Sequence, residues 1–341
     1  MQLATRLVQI SNGSIRRVAL VEEPQLRCLS QVQSIYELAQ CCLASGVSLS
    51  RHALALAGGE TLDYDAIYAG VSEWHLLAPI DVRGHPSRLI VSGTGLTHLG
   101  SAKDRQAMHV AKQPSAAETS TDSLKMFQWG VEGGRPAPGS IGIAPEWFYK
   151  GSGAILRRPF EPLTVPSFGE DGGEEAEIAG IYIVGQDGAP YRIGMTVGNE
   201  FSDHRFEKRN YLNLAGSKLR ACSIGPELVA DADFQSVAGE VRIQRGADTI
   251  WSKDVATGEE NMCHSLANIE HHHFKFEGHR QPGNVHVHFF GAHSLSFGDH
   301  VELTNGDWME VRYDGFGRAL CNPIHFESKD EDHLVEARSL G

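Results

Sequence analysis

The chain has 341 residues, 41% apolar and 21% charged, an ordinary balance for a globular protein able to bury a large core. Its 43 acidic and 30 basic residues leave a net charge of −13 with no Lys/Arg stripe, so nucleic acid is not an expected partner. No apolar run is long enough to span a membrane and the first residues lack the apolar core of a signal peptide, so no membrane is expected as a partner and the cytoplasm is the expected location. Cys28, Cys41, Cys42, Cys222, Cys263 and Cys321 follow no C-x-x-C or metal-finger spacing, and are read as reduced and structural.

In chain order, residues 1–30 alternate apolar and polar around Gly13 and read as a hairpin. Ser34-Ile-Tyr-Glu37 is a capping-box pattern opening a helix with Ile35, Leu38, Cys42 and Leu43 on one face, and Gly46 stands where a C-cap belongs. Asp63 to Tyr68 reads as a short second helix. These make a small N-terminal α+β domain, 1–80, ending near Leu77-Ala78-Pro79-Ile80. Residues 81–330 form the main domain and 331–341 a charged tail. Within the main domain, Ser87 to Gly93 is a short strand, and Gly100 to His109 is polar and helix-compatible. The stretch 113–140 is either a lid or a surface insertion. Ala154 to Leu156 and Leu163 to Val165 are short strands.

The next stretch, Gly173 to Arg205, organises the rest. Glu175 to Val184 is strand-like, Gly185-Gln186-Asp187-Gly188-Ala189-Pro190 is turn-forming, and Tyr191 to Gly198 is a second strand. Paired as a hairpin about Gln186–Ala189, the runs place Glu200 about opposite Glu175, with Glu175 and Glu177 on one face. Opposed strand residues have Cβ atoms about 5 Å apart. Two full charges there repel by roughly 1–3 kcal/mol. A hard divalent cation would remove that cost, and carboxylates suit Mg²⁺ or Mn²⁺. The alternative is a solvated acidic edge formed by Glu170, Asp171, Glu174, Glu175 and Glu177.

Beyond the hairpin, Val237 to Arg245 and Thr249 to Lys253 are strands, and a helix is expected from about Glu259 to His273. Its His271-His272-His273 run points in several directions, so it is not expected to hold a metal. His286 and His288 share one face of a strand and read as core or interface histidines. Met309 to Tyr313 and Arg318 to Pro323 close the sheet as a hairpin.

Glu-x-Glu on a strand, the turn into Gly198-Asn199-Glu200-Phe201-Ser202, and then Lys218 resemble the fumarylacetoacetate hydrolase family. Leu77-Ala78-Pro79-Ile80 and Gly95-Leu96-Thr97-His98 upstream, with Gly225-Pro226 and the strand Val285 to His293 downstream, extend the resemblance from about Leu76 to Phe326. It implies a β-rich α+β fold, with a mixed β-sandwich or β-roll catalytic domain behind the small N-terminal one. It also implies Mg²⁺ or Mn²⁺ held by Glu175, Glu177 and Glu200, where the family more often has Asp at the third position. Lys218 would face the metal-bound substrate, and Lys150, in Glu146-Trp-Phe-Tyr-Lys150, would stand near the mouth. Gly291-Ala292-His293 replaces a Gly-Thr-Pro whose threonine holds the substrate carboxylate, so His293 or a backbone N–H must take over. Family members usually form dimers, so a homodimer or dimer-based oligomer is expected.

In the family's hydrolases a His-x-x-Glu dyad follows a glycine-x-Asn-Tyr loop and activates water. An ungapped alignment puts Ser101 on the dyad His and Asp104 on the dyad Glu, so the hydrolytic pair is lost. The Gly-Asn-Glu-Phe-Ser-Asp-His motif resembles a bacterial subgroup whose relatives dehydrate 2-keto-3-deoxy sugar acids in pentose breakdown. The resemblance therefore implies dehydration of a 2-keto-3-deoxypentonate (L-arabinonate or D-xylonate type) to 2-oxoglutarate semialdehyde. Lys218 would be the C3 base and Ser101, His98 or Asp104 would assist the leaving hydroxyl. The alternative is a metal-dependent hydrolase of 2,4-diketo acids using His98 as base in a gapped register.

Overall fold

The computed structural model describes residues 4–103 and 121–340. Asp104, most of the polar stretch after Gly100 and the start of the 113–140 segment lie outside them. The described residues build two open sheets, one of thirteen strands and one of five. The central path of the larger sheet runs Arg6–Ser11, Leu228–Val229, Pro190–Asn199, Ala176–Val184, Val285–Phe289, Leu89–Gly95, Glu146–Ser152, so the last is an edge strand. The architecture is the expected β-rich α+β.

The N-terminal segment forms three strands where a hairpin is expected, with Gln25–Leu29 added after Arg16–Glu22. Its helix, Ile35–Ser45, starts as the capping pattern requires: Ser34 accepts from the Glu37 N–H, and Gly46 closes it in the left-handed region at φ 67°. Asp63 caps Tyr64–Tyr68 in the same way. This unit shares its sheet and core with the main domain. Arg6–Ser11 pairs antiparallel with Leu228–Val229, and Leu7, Val18 and Ile35 pack in one cluster with Val91, Ile181 and Phe289.

The central hairpin, Ala176–Val184 with Pro190–Asn199, keeps the expected register at its functional end: Ala176 faces Asn199 and Glu177 faces Gly198. A bulge between Ile181 and Tyr182 shifts the remainder by one residue, so that Tyr182 faces Arg192. Alternation then separates two faces. Ala179, Ile181 and Ile183 join Val285, Val287 and Phe289 in one core, whereas Ile178 and Tyr182 join Phe290, Val241 and Val311 in another against the five-stranded sheet. Glu175 and Glu177 belong by parity to the first face, and His286 and His288 to the second.

The helix expected from Glu259 to His273 is shorter. A 3₁₀ turn covers Glu259–Asn261, and the α-helix is Leu266–Phe274. The Cys263 N–H is diverted to the Thr97 carbonyl at 2.9 Å, and Ser265 starts a new helix by capping the Asn268 N–H.

Candidate metal centre

The pairing of the hairpin continues one step past its strands, where the Glu200 N–H donates to the Glu175 carbonyl at 2.8 Å. The Glu175 N–H in turn donates to Asn199 Oδ1 at 3.2 Å. The backbone thus brings Glu175, Glu177 and Glu200 together, each with one carboxylate oxygen within 4.8 Å of those of the other two. All three are at most 3% exposed, so they are not a solvated acidic edge. Glu174 is buried too, but its carboxylate is satisfied by the Ser296 N–H at 2.7 Å and hydroxyl at 2.6 Å.

Three buried carboxylates need compensation, because an unpaired buried charge costs several kcal/mol. Lys218, itself fully buried, donates to Glu175 Oε1 at 2.5 Å, to Glu200 Oε2 and to Ser202 Oγ. Its ammonium stands 4.6 Å from the centre of the Phe148 ring, a cation–π contact on its apolar side. Lys150 donates to Glu200 Oε1 and, at 3.0 Å, to the Phe201 carbonyl. The mouth position that the resemblance implies for Lys150 is therefore not where it lies: it is 1% exposed and engaged with a carboxylate. His204 Nε2 meets Glu175 Oε1 at 3.1 Å. Burial lowers the His204 pKa, but its hydrogen bond to Glu175 and that carboxylate's charge outweigh burial and leave it raised.

Glu177 is the least compensated of the three. Its close partner is the Gly291 N–H, which donates to Oε2 at 2.6 Å. Burial, then the charges of Glu200 and Glu175, push its carboxyl well above the usual range. Two lysines against three carboxylates, in an all-oxygen ligand set, fit a hard divalent cation such as Mg²⁺ or Mn²⁺.

The remaining predicted residues surround the Gly291 end. His98 is buried with its two ring nitrogens on Thr97 Oγ1 (2.8 Å) and Thr257 Oγ1 (3.1 Å), and burial, with His293 nearby, brings its pKa down to about 3. Ser101 Oγ donates to the His98 carbonyl at 3.2 Å. His293, half-buried, donates from Nδ1 to the Ala256 carbonyl at 3.0 Å, with its ring centre 5.9 Å from that of His98. Ala292 is buried against Leu295. Sequence reasoning gives no role to Ser202, His204, Phe148, Thr97 or Thr257. Ser202 and His204 sit in the Gly-Asn-Glu-Phe-Ser-Asp-His motif, but the Thr257–His98 and Phe148–Lys218 contacts join segments far apart in the chain.

No protein-family model matches the chain, and no curated protein matches it in sequence. Solved structures do match in three dimensions. A 2-keto-3-deoxy-D-arabinonate dehydratase, complexed with magnesium and 2,5-dioxopentanoate, superposes with a TM-score of 0.69 at 16% identity, covering 95% of this chain and 100% of that one. A 2-hydroxyhepta-2,4-diene-1,7-dioate isomerase from Mycobacterium marinum gives a TM-score of 0.56 at 16% identity, over 95% of this chain and 99% of that one. A 5-carboxymethyl-2-hydroxymuconate delta-isomerase from Mycobacterium smegmatis gives 0.54 at 14% identity, over 94% and 100%. At such identities the likeness is one of fold: this chain has the fold of the sugar-acid dehydratase and muconate-type isomerase structures, the architecture that its resemblance to the fumarylacetoacetate hydrolase family implies.

Proposed function

We propose that the protein is a metal-dependent hydro-lyase that dehydrates a 2-keto-3-deoxypentonate to 2-oxoglutarate semialdehyde. The observation that carries the reading is the buried Glu175–Glu177–Glu200 group with Lys218 bonded across two of its members. The dehydratase relative, whose structure holds magnesium and 2,5-dioxopentanoate, supports it. A divalent cation bound by the three glutamates would supply Lewis acidity for the keto and carboxylate oxygens of a 2-oxo acid. The chain's own groups do the rest. One proton leaves C3, the C4 hydroxyl departs with a proton as water, and the unsaturated keto alcohol isomerises to the C5 aldehyde.

Lys218 is the group we assign to the C3 proton. Its three ammonium hydrogens point at Glu175, Glu200 and Ser202, so Nζ would act as the base after passing one proton to a contacting carboxylate, which frees its lone pair for the proton from C3. His98 and Ser101 are poor donors to a leaving hydroxyl, since the ring nitrogens of one and the hydroxyl proton of the other are committed to protein groups. The same commitment argues against the hydrolase alternative, which needs His98 as a base. His293, beside Gly291 and Ala292, is the residue we place nearest the substrate carboxylate.

Incubating the protein and Mg²⁺ with 2-keto-3-deoxypentonate and, separately, with an acylpyruvate, and identifying products by NMR, tests the proposal. The expected result is the semialdehyde from the first and no pyruvate from the second. Pyruvate from the acylpyruvate, with the sugar acid untouched, would make the enzyme a carbon–carbon hydrolase.

A further inference from the structure

We propose that Thr97, His98 and Thr257 form a hydroxyl–imidazole–hydroxyl chain that fixes the orientation of Glu177, and that His98 is a positioning residue within it. The inference rests on the reading of Glu175, Glu177 and Glu200 as metal ligands. Its point of action is the peptide between Phe290 and Gly291. The N–H of that peptide donates to Glu177 Oε2 at 2.6 Å, and its carbonyl accepts from the Thr97 hydroxyl at 2.8 Å.

Every proton in the chain has one consistent place. A carbonyl can only accept, so the single hydroxyl proton of Thr97 goes to Phe290 O. Thr97 Oγ1 must then accept from His98, 2.8 Å away, which puts the ring proton on Nδ1. The neutral ring presents its lone pair at Nε2, and that atom accepts from the Thr257 hydroxyl at 3.1 Å. Thr97, His98 and Thr257 are each at most 1% exposed, so water does not compete for these bonds. Burial keeps His98 neutral, its pKa near 3.

The backbone around the peptide is built for the close approach. Gly291 has φ 99°, and a Cβ there would collide with the Thr97 hydroxyl. The Phe290 N–H is held by the Ile178 carbonyl at 3.1 Å and the Thr97 carbonyl by the Cys263 N–H at 2.9 Å, which anchors both sides of the contact. With Oε2 on the Gly291 N–H, Oε1 is the oxygen Glu177 offers a cation. Letting the peptide turn would remove that constraint from the least compensated of the three carboxylates.

Outer partners of ligand carboxylates typically change metal affinity by about 10- to 100-fold. Mn²⁺ binding, followed by electron paramagnetic resonance beside thermal melting, is the measurement, made on the full chain and on Thr97→Val, Thr97→Ser, Thr257→Val and His98→Asn. Thr97→Val should weaken Mn²⁺ binding by roughly tenfold or more, Thr257→Val by less, and Thr97→Ser should restore near-normal binding. His98→Asn should lower kcat/KM at limiting metal while leaving the limbs of the pH–rate profile in place. Unchanged Mn²⁺ affinity in Thr97→Val would overturn the proposal, as would a pH limb that disappears in His98→Asn. If Thr97→Val does not fold, unchanged affinity in Thr257→Val overturns it instead. A wild-type protein that binds no Mn²⁺ would sink the metal reading itself, an outcome distinct from wild-type binding that the variants match.

Discussion

The two faces of the central sheet bury titratable groups in opposite ways. On one, Glu175, Glu177 and Glu200 cluster beside Lys150 and Lys218, which bond Glu175 Oε1 and both oxygens of Glu200. On the other, His286 and His288 from the strand Val285–Phe289 meet His273 from the helix Leu266–Phe274, with ring centres 4.9 and 4.3 Å from that of His273. No ion pair forms among these three rings. Burial, followed by the neighbouring histidines, lowers all their pKa values, those of His286 and His288 to about 3. The hydrogen bonds suit neutral rings: Trp147 donates to His273 Nδ1 at 3.2 Å, and Ser92 and Thr94 bond the two nitrogens of His288 at 2.9 and 2.8 Å. One face keeps its charges by pairing them and is suited to a cation. The other holds its three histidines neutral and serves packing. Strand parity alone decides which residue joins which.

Removing a member of the charged face should have the largest effect. Glu177→Gln deletes the least compensated carboxylate, so activity should fall by about a hundredfold or more and Mn²⁺ binding should be lost. The metal-free protein should nevertheless melt at a higher temperature, because the raised pKa marks an ionised form that burial disfavours. A lower melting temperature, with Mn²⁺ binding intact, would mean that Glu177 is a structural ion-pair partner and not a ligand. Lys218→Met comes next. It leaves Glu175 and Glu200 with less compensation at full burial, and breaking such pairs typically costs about 3–5 kcal/mol. Urea unfolding at neutral pH measures it, and a loss below about 1 kcal/mol, the level of a surface pair, would remove Lys218 from the charge balance.

The contrast between the faces also fixes two pH limbs of opposite sign. A histidine whose folded pKa lies below its unfolded value near 6.5 favours folding above that pH. The stability it contributes is lost as pH falls from about 6.5 toward the folded value, by about 1.4 kcal/mol per pH unit for each such ring. Glu177 behaves the other way: its raised folded pKa gives stability that is present below about 4.5 and lost as pH rises through the folded value. Urea midpoints measured from pH 8 down to 5 should therefore fall steeply below about pH 6.5. A flat profile there would show that the histidine face takes up protons without opening.

Much of the charged face is legible in the residues themselves. Alternation puts Glu175 and Glu177 on one side, the Gly/Asp/Gly turn sets the register, and Glu200 falls opposite Glu175. What the sequence does not carry is who neutralises whom. Lys150 looks like a mouth residue because nothing local shows that its edge strand runs it down onto Glu200. His98 looks like a helper of the leaving hydroxyl, or a base in the gapped register, for a similar reason: a histidine after a glycine turn carries no mark of Thr257, whose hydroxyl reaches it across 159 residues. The helix bearing His273 is overextended in the sequence reading because the apolar spacing of Met262 and Leu266 continues through a loop whose N–H groups are used elsewhere. Periodicity reports faces, whereas charge compensation is settled by tertiary contacts.

The smallest expected effect is the most diagnostic for the neutral face. Because Trp147 donates to His273 Nδ1, the His273 proton sits on Nε2 and goes to His286 Nδ1, 2.9 Å away. The neutral His286 ring then carries its own proton on Nε2, a buried atom with no hydrogen-bond partner among the described residues. His286→Phe removes that unpaired donor but strips His273 Nε2 of its acceptor, exchanging one buried unsatisfied N–H for another. The phenyl ring can take the edge-on place His286 occupies against Phe274, whose ring centre is 5.0 Å away. Stability at pH 8 should change by less than about 1 kcal/mol, since the gain and the loss are of one kind. Below pH 6.5, however, the slope of stability against pH should shrink by about one proton. A variant that loses several kcal/mol at pH 8 and keeps the full acid slope would show that the His273–His286 bond outweighs the unpaired Nε2, and that His286 is not among the rings whose protonation opposes folding.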